Sequence, residues 1–313
     1  MEFISTQKII RSIKIKELIN EIEHTYKNDS YVPLRQVYNI MPQNDSAQIM
    51  VMPAFSVEGH YGVKLLNVFP NNSSVGLPRV KALYVLYEKE NGDIKAILDG
   101  TEITKQRTAA MSAIASKFLS KKNSKKLLVL GTGALVSYMI KAHCSVRPIE
   151  DILIWGRDNS KVKNIVKSYK DSNYKVSSVS SLEEACQIAD IITSITSAKE
   201  AFIKGSWLNK SVHIDLIGAH TKNMAELDPQ GFSIGEIYVD DYEAALAEAG
   251  DLMKSLELGY IDKNDIKEDI KQLIVGNKTK RNNKSKITIY KSVGHALSDL
   301  ATALHICKRL KLY

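Results

Sequence analysis

Hydrophobic and polar positions alternate with more than one period along the chain. Residues 15–28, IKELINEIEHTYKN, put Ile15, Leu18, Ile19, Ile22 and Tyr26 on one face of a helix. Short β-rich runs follow: VPLRQVYNIMP, AQIMVMPAFS, YGVKLLNVFP and RVKALYVLYEKENGDIKAILDG, the last with Asn91-Gly92 as a hairpin turn. The N-terminal third therefore reads as a sheet with one leading helix. From Glu102 the period turns helical again, with alanine-rich EITKQRTAAMSAIASKFL carrying apolar residues from Ile103 to Leu119. Beyond it KLLVLG, DILIWG, YKVSSV, DIITSIT, HIDLIG and EIYVDD read as strands. ALVSYMIKAHC, SKVKNIVKSYK and SLEEACQIA read as helices between the first four, which predicts a parallel, doubly wound sheet. KITIYKSVGHALSDLATALHICKRL ends the pattern with one more strand and a long amphipathic helix.

The first strand of the alternating region runs into Gly131-Thr132-Gly133-Ala134-Leu135. In a dinucleotide fold the first glycine permits a tight turn, and the second lets a pyrophosphate approach the backbone at the positively polarised end of a helix. A bare G-x-G is weak, but its place between a buried strand and a helix, with a second strand about twenty residues on, makes Gly131, Gly133, Ala134 and Leu135 candidate cofactor contacts. The alternative is a plain turn of an α/β protein. Val136 stands where a third glycine would allow the closest helix packing. The second strand ends in IWGRDNS, with Gly156 and Arg157 where an NAD site usually carries an acid for the ribose hydroxyls. Arg157 can fork onto a 2′-phosphate, so NADPH is expected over NADH; the rival is Asp158 as the ribose ligand. Ser194 and Thr196, at the end of the fourth strand, are further cofactor candidates.

At 313 residues the chain is long for one core, so two domains are expected. No apolar run is long enough to span a membrane, and the charged start MEFISTQKIIRSIKIKEL lacks a signal peptide's apolar block, so the expected place is the cytoplasm. Cys144, Cys186 and Cys307 are odd in number and far apart, which predicts neither a disulfide framework nor a zinc site. The net charge of +8 raises nucleic acid as a partner, but the basic runs KKNSKK and NKTKRNNKSK are short and free of aromatics and read as solvated loops. No nucleic acid, membrane or metal is expected; the positive charge suits an anionic substrate and cofactor.

Seven motifs together resemble the ornithine cyclodeaminase/μ-crystallin family: VPLRQVY (32–38), YGVKLLNVFPNN (61–72), EITKQRTAAMSAIASKFL (102–119), GTGALV (131–136), IGAHTKNMAELD (217–228), DYEAALAEAGDL (241–252) and SVGHALSDLATA (292–303). Their order and spacing cover nearly the whole chain. The resemblance implies a Rossmann doubly wound domain, residues 119–289, and a second α+β domain for substrate binding and dimerisation, residues 1–118 with 290–313. It implies a homodimer and a range of chemistries: ornithine cyclodeamination, ketimine and Δ1-pyrroline-2-carboxylate reduction, alanine dehydrogenation and opine-type reductive amination. Fold alone does not choose among them.

Matched to the family's pattern, Arg35, Lys64 and Arg107 look like its substrate-binding cations. Arginine's planar fork suits the carboxylate that all these substrates carry beside the reacting carbon. Lys64 lies between apolar residues, where desolvation would make it a carboxylate donor or a proton carrier; its plainer reading is a lysine snorkelling from a half-exposed strand. Arg107 also fits an ordinary first-turn helix residue, and Arg35 an exposed strand charge. Two departures bear on chemistry. His220 stands where the cyclodeaminases carry an aspartate, and Met50 aligns with their glutamate. A thioether and an imidazole grip a cationic amine poorly, which argues against cyclodeamination. A ring imine needs its carboxylate held, a hydride and a proton, and His220 can supply or order that proton beside the cofactor; otherwise it is a turn residue. His295 is a weaker candidate, readable as a cap or packing residue. The expected activity is NAD(P)H-dependent reduction of a cyclic α-imino acid, Δ1-pyrroline-2-carboxylate to proline or its six-membered homologue to pipecolate. Ornithine cyclodeaminase and a non-catalytic ligand binder are the alternatives.

Overall fold

A computed structural model describes residues 2–40, 47–56, 59–276 and 286–312. Most of the basic run 277–286, expected as a solvated loop, lies outside these residues. The chain divides into two compact units, residues 1–110 with 295–313 and residues 111–294. These limits differ from those expected at 118/119 and 289/290. The first falls inside an unbroken helix, and the strand that contains residue 290 hydrogen-bonds wholly within the second unit's sheet.

The first unit holds β1 (Glu2–Ile4), α1 (Thr6–Ser12), α2 (Ile15–Lys27), β2 (Ser30–Tyr31), β3 (Gln36–Asn39), β4 (Gln48–Ser56), β5 (His60–Val68), β6 (Val80–Glu88), β7 (Ile94–Asp99) and the start of α3 (Gly100–Leu119). Its sheet runs β1-β7-β6-β5-β4-β2, with β3 also on β4. All pairs are antiparallel except β1 with β7. The expected face of α2, Ile15, Leu18, Ile19, Ile22 and Tyr26, is the buried one. Gly92 closes the β6–β7 hairpin at φ 75, a left-handed conformation that favours glycine. Two helices lead this unit rather than one, and β1 precedes them. α1 buries only Ile9 and Ser12, too few positions to show a period, and β1 is three residues paired to a strand some ninety positions away.

The second unit contains β8 (Lys126–Leu130), α4 (Val136–Val146), β9 (Asp151–Trp155), α5 (Asn159–Ser168), β10 (Lys175–Ser178), α6 (Leu182–Ile188), β11 (Ile191–Ser194), β12 (His213–Leu216), β13 (Glu236–Val239), α7 (Tyr242–Glu248), α8 (Gly250–Glu257), β14 (Ile266–Asp269), α9 (Ile270–Gly276) and β15 (Thr288–Lys291). The order β10-β9-β8-β11-β12-β15-β13-β14 is parallel throughout, and its first five strands have the 3-2-1-4-5 arrangement of a Rossmann sheet. β8 is apolar on both faces because both are covered: Leu127 and Val129 pack with Val136 and Ile140, Leu128 and Leu130 with Ile192 and Ile214. β14 and α9 escaped the sequence reading, since KEDI carries no apolar alternation. α10 (Ala296–Arg309) returns the chain to the first unit, where it packs on α2, β4 and β5.

Candidate functional site

In the first unit the alternation of β5 carries a lysine into the core. Gly62, Lys64 and Leu66 point inward between outward Val63 and Leu65, so Lys64 is fully buried, which removes the snorkelling alternative. A buried ammonium is costly unless paired. Its partner is Asp299, fully buried on α10, whose Oδ2 accepts from Lys64 Nζ at 2.6 Å. The other oxygen of Asp299 accepts from Arg107 Nε at 3.1 Å. Arg107 is 6% exposed on α3, and Arg35 is half-buried immediately before β3. Burial pulls the Lys64 ammonium down from its ordinary pKa to about 7; Asp299 pushes it back up, and the charges of Arg107 and Arg35 lower it further. The three predicted cations thus act on one another electrostatically, around an aspartate the sequence reading had not singled out. The signal was present as an acid among the apolar positions of the last helix, in SVGHALSDLATA.

Tyr84 faces Lys64 across β5 and β6 and is fully buried. Burial, and then the charge of Asp299, hold its phenol well above the ordinary value, so it stays protonated. A side chain at Gly62 would bring its Cβ within 2.4 Å of the Tyr84 hydroxyl, which is why glycine precedes Lys64 on this face. Met50 is 5% exposed in β4, opposite Leu66, and is a packing residue. His295 occupies the N-cap of α10 without capping it; its Nδ1 lies 3.0 Å from the Tyr26 hydroxyl.

In the second unit Gly131 adopts φ +125 at the end of β8, a conformation that a side chain would strain. Gly133 is exposed and no atom lies within 4 Å of where its Cβ would be, so a ligand can approach the backbone there. α4 opens later than expected, at Val136, with Leu135 already at helical dihedrals; exposed Ala134 and half-buried Leu135 form the turn into it. Val136 takes the third-glycine position by packing into the core at 3% exposure. An added Cβ at Gly156 would come within 2.6 Å of Thr132 Cγ2, so β9 ends without room for an acidic side chain. Arg157 is exposed beside it. Asp158, the rival ribose ligand, caps α5, accepting from Ser160 N at 3.0 Å, Lys161 N at 3.2 Å and Ser160 Oγ at 2.6 Å. These bonds, Ser160's first, hold its carboxyl below the usual range.

Ser194 and Thr196, expected to touch the dinucleotide, hydrogen-bond to Glu226. Ser194 is fully buried and donates to Glu226 Oε1 at 2.6 Å; Thr196 donates to the same oxygen through its hydroxyl and its backbone N–H, both at 2.8 Å. Oε2 accepts from Gly218 N at 2.7 Å and Ala219 N at 3.2 Å. One buried carboxylate therefore ties the end of β11 to the loop after β12. Gly218 is glycine because a Cβ would fall 2.0 Å from the Thr196 carbonyl and 2.4 Å from Glu226. His220, two residues on, is half-buried with its Nδ1 2.9 Å from the Gly218 carbonyl, an arrangement in which Nδ1–H donates to that oxygen. Beneath Glu226, buried Lys291 bridges to Asp251 at 3.1 Å. Burial raises the Glu226 carboxyl, opposed by Lys291 and the Ser194 donor. Like Asp299, Glu226 was passed over although it sits between apolar neighbours, Ala225 and Leu227.

Among the described residues no His, Cys, Asp and Glu cluster could hold a metal ion, and no helix is long and apolar enough to cross a membrane. The chain is 31% identical to a Δ1-pyrroline-2-carboxylate reductase of Colwellia psychrerythraea, with 99% of each chain covered. Its structure superimposes with a TM-score of 0.94 and 30% identity on Thermococcus litoralis Δ1-pyrroline-2-carboxylate reductase in complex with NADH and L-proline, covering 99% of this chain and 98% of that one. It also matches an archaeal alanine dehydrogenase dimer with bound NAD at TM-score 0.91 and 27% identity, over 99% and 95%. The sequence profile of the ornithine cyclodeaminase/mu-crystallin family matches residues 2–312, and this chain, with its Rossmann sheet and its buried lysine, arginine and aspartate cluster, belongs to that family.

Proposed function

We propose that the protein is a nicotinamide-dependent reductase of cyclic α-imino acids, converting Δ1-pyrroline-2-carboxylate to L-proline. The observation that carries this reading is the buried cluster of the first unit, in which Lys64 and Arg107 share Asp299 and Arg35 acts on Lys64 through its charge: two cations on one aspartate, closed to water and suited to a small carboxylate. Arg107 spends Nε on Asp299, which leaves the terminal edge of its fork to grip the substrate carboxylate together with Arg35. Lys64, poised at about 7, supplies the proton that the imine nitrogen takes. His220 is the second acid: with Nδ1 on a carbonyl, its Nε2 donates once the ring is protonated. The Colwellia and Thermococcus proteins named as this reductase support the substrate.

A dinucleotide fits the second unit, where the left-handed Gly131 and the open space at Gly133 leave backbone free for a pyrophosphate ahead of α4. When bound, it supplies hydride from the nicotinamide C4. NADPH is the preferred form in this reading: Gly156 offers no acid, Asp158 is engaged as a helix cap, and Arg157 is exposed to fork onto a 2′-phosphate. NADH is the form bound by the Thermococcus relative, so both belong in the assay. The protein works as a homodimer through the outer face of the first unit's sheet, where Phe55 and Leu65 are 38% and 36% exposed and Phe55 stacks on Tyr61; the archaeal neighbour is a dimer.

Mixing the protein with Δ1-pyrroline-2-carboxylate and its six-membered homologue, with each cofactor, and following nicotinamide fluorescence tests the reading. Consumption of the reduced cofactor supports it. Ammonia from ornithine without net cofactor consumption would establish a cyclodeaminase instead, and cofactor binding with neither activity would establish a binder.

A further inference from the structure

Asp299 has no place in the chemistry described so far, yet it touches both buried members of the cation set. It lies one helical turn beyond the N-cap of α10, and its two oxygens are divided between a lysine from β5 and an arginine from α3. The described groups that bear on Lys64 come from five elements. Met52 on β4 and Tyr84 on β6 flank it across the sheet; Arg107 comes from α3, Arg35 from the segment before β3 and Asp299 from α10. Tyr84 remains a neutral phenol, so Asp299 is the one anion in this set of described groups.

We propose that Asp299 is a positioning residue that aims Arg107 and holds Lys64 ready to be recharged, so that docking of the substrate carboxylate draws a proton onto Lys64 and thereby loads the acid that the reduction consumes. The inference rests on the reductase reading above and deepens it. The physical reason is charge balance. Lys64 is sealed from water and shares its one bonded aspartate with Arg107, so it gives up its proton easily while the site is empty. A second carboxylate arriving on Arg35 and Arg107 adds the missing negative charge and favours the ammonium again. In the reaction the imine carbon takes the hydride and the nitrogen takes one proton from the Lys64 ammonium, breaking an N–H bond of the lysine and forming one on the product. Lys64 is left neutral, Asp299 stays ionised, and the next substrate restores the proton from solvent. Without Asp299 the lysine would lose the counter-charge it is bonded to and would carry its proton in a smaller fraction of the bound enzyme.

Two measurements test this. Calorimetric titration of the cofactor-loaded enzyme with the non-reducible probe pyrrole-2-carboxylate, in buffers of different ionisation enthalpy just above neutral pH, should show proton uptake in the wild type and none in Lys64→Met. The variant Asp299→Asn keeps the shape but loses the charge. Its kcat at neutral pH should fall by about tenfold, the equivalent of about one pH unit of displacement in the Lys64 titration. The alkaline limb of its kcat profile should move to lower pH, while KM for the imine does not rise. A merely structural role would lower stability or raise KM and leave the limb in place. An Asp299→Asn profile that superimposes on the wild type after scaling overturns the proposal, as does wild-type binding with no buffer-dependent heat, or no binding of the probe at all. Should Asp299→Asn fail to fold, the comparison of wild type with Lys64→Met decides alone. Proton uptake without turnover of any cyclic imine would leave the proposal standing and remove the reductase reading; turnover without proton uptake would do the reverse.

Discussion

Each unit buries a lysine against an aspartate, and the two pairs have opposite surroundings. In the first, Lys64 and Asp299 are joined by Arg107, so positive charge is in excess among these three buried groups. In the second, Lys291 and Asp251 are joined by Glu226, so negative charge is in excess, and that excess is spent on five donors from Ser194, Thr196, Gly218 and Ala219. The first pair is left wanting an anion; the second is satisfied within the protein. Burial of charge therefore does not by itself mark a binding site. What marks it is charge left without enough partners; burial disfavours the charged form in both clusters, lowering Lys64 and raising Glu226, so the partners and not the shifts tell the two apart.

Breaking the self-satisfied cluster should have the largest effect. Glu226→Ala leaves five buried or half-buried donors without their acceptor, and since each such loss costs about 1–3 kcal/mol, the stability should drop by several times that unit. Thermal or urea unfolding reads it directly, and an unchanged midpoint would mean that the carboxylate ties nothing together. Breaking the cation-rich cluster should cost function before stability. Arg107→Ala or Arg35→Ala removes a charged partner of the substrate, worth about 1.5–3 kcal/mol, so kcat/KM should fall by about 10- to 100-fold; a near-normal variant takes that arginine out of the site. Arg157→Ala, in the cofactor half, should raise KM for NADPH by about tenfold while leaving NADH alone, the loss of one exposed charge-assisted contact. Equal KM changes for both cofactors would defeat that assignment.

The smallest effects sharpen the comparison through pH. Because Lys64 in the free protein acts as an acid from a pKa of about 7, kcat/KM should be highest below that value and decline as pH rises through it. A profile flat from neutral to mildly alkaline pH would exclude Lys64 as the donor. Stability runs the other way. The unfolded chain holds this proton up to its ordinary 10.5, the folded chain only to about 7, so between those limits unfolding takes up a proton and this group's contribution favours the fold increasingly as pH rises. Lys64→Met should abolish that slope, which unfolding curves across the window would reveal.

Much of the second unit was legible because its strands are covered on both faces and so read as continuous apolar runs, with Gly131 and Gly133 between the first strand and its helix. Arg35, Lys64 and Arg107 were legible as cations in matched motifs. Local pattern could not reach further. Whether Lys64 snorkels or is sealed depends on α10, which packs on β5 from more than two hundred residues away. Asp158 as ribose ligand or helix cap was a question of which neighbours its oxygens meet, and Ser194 and Thr196 look equally fit for a cofactor or for Glu226 until the loop after β12 is placed. Periodicity and turn chemistry, which act between near neighbours in the chain, determined the elements and their order. The sites of uncompensated and compensated charge were decided by tertiary contact alone, because the energy of a buried charge depends on which distant side chains and backbone donors reach it and on how completely water is kept out.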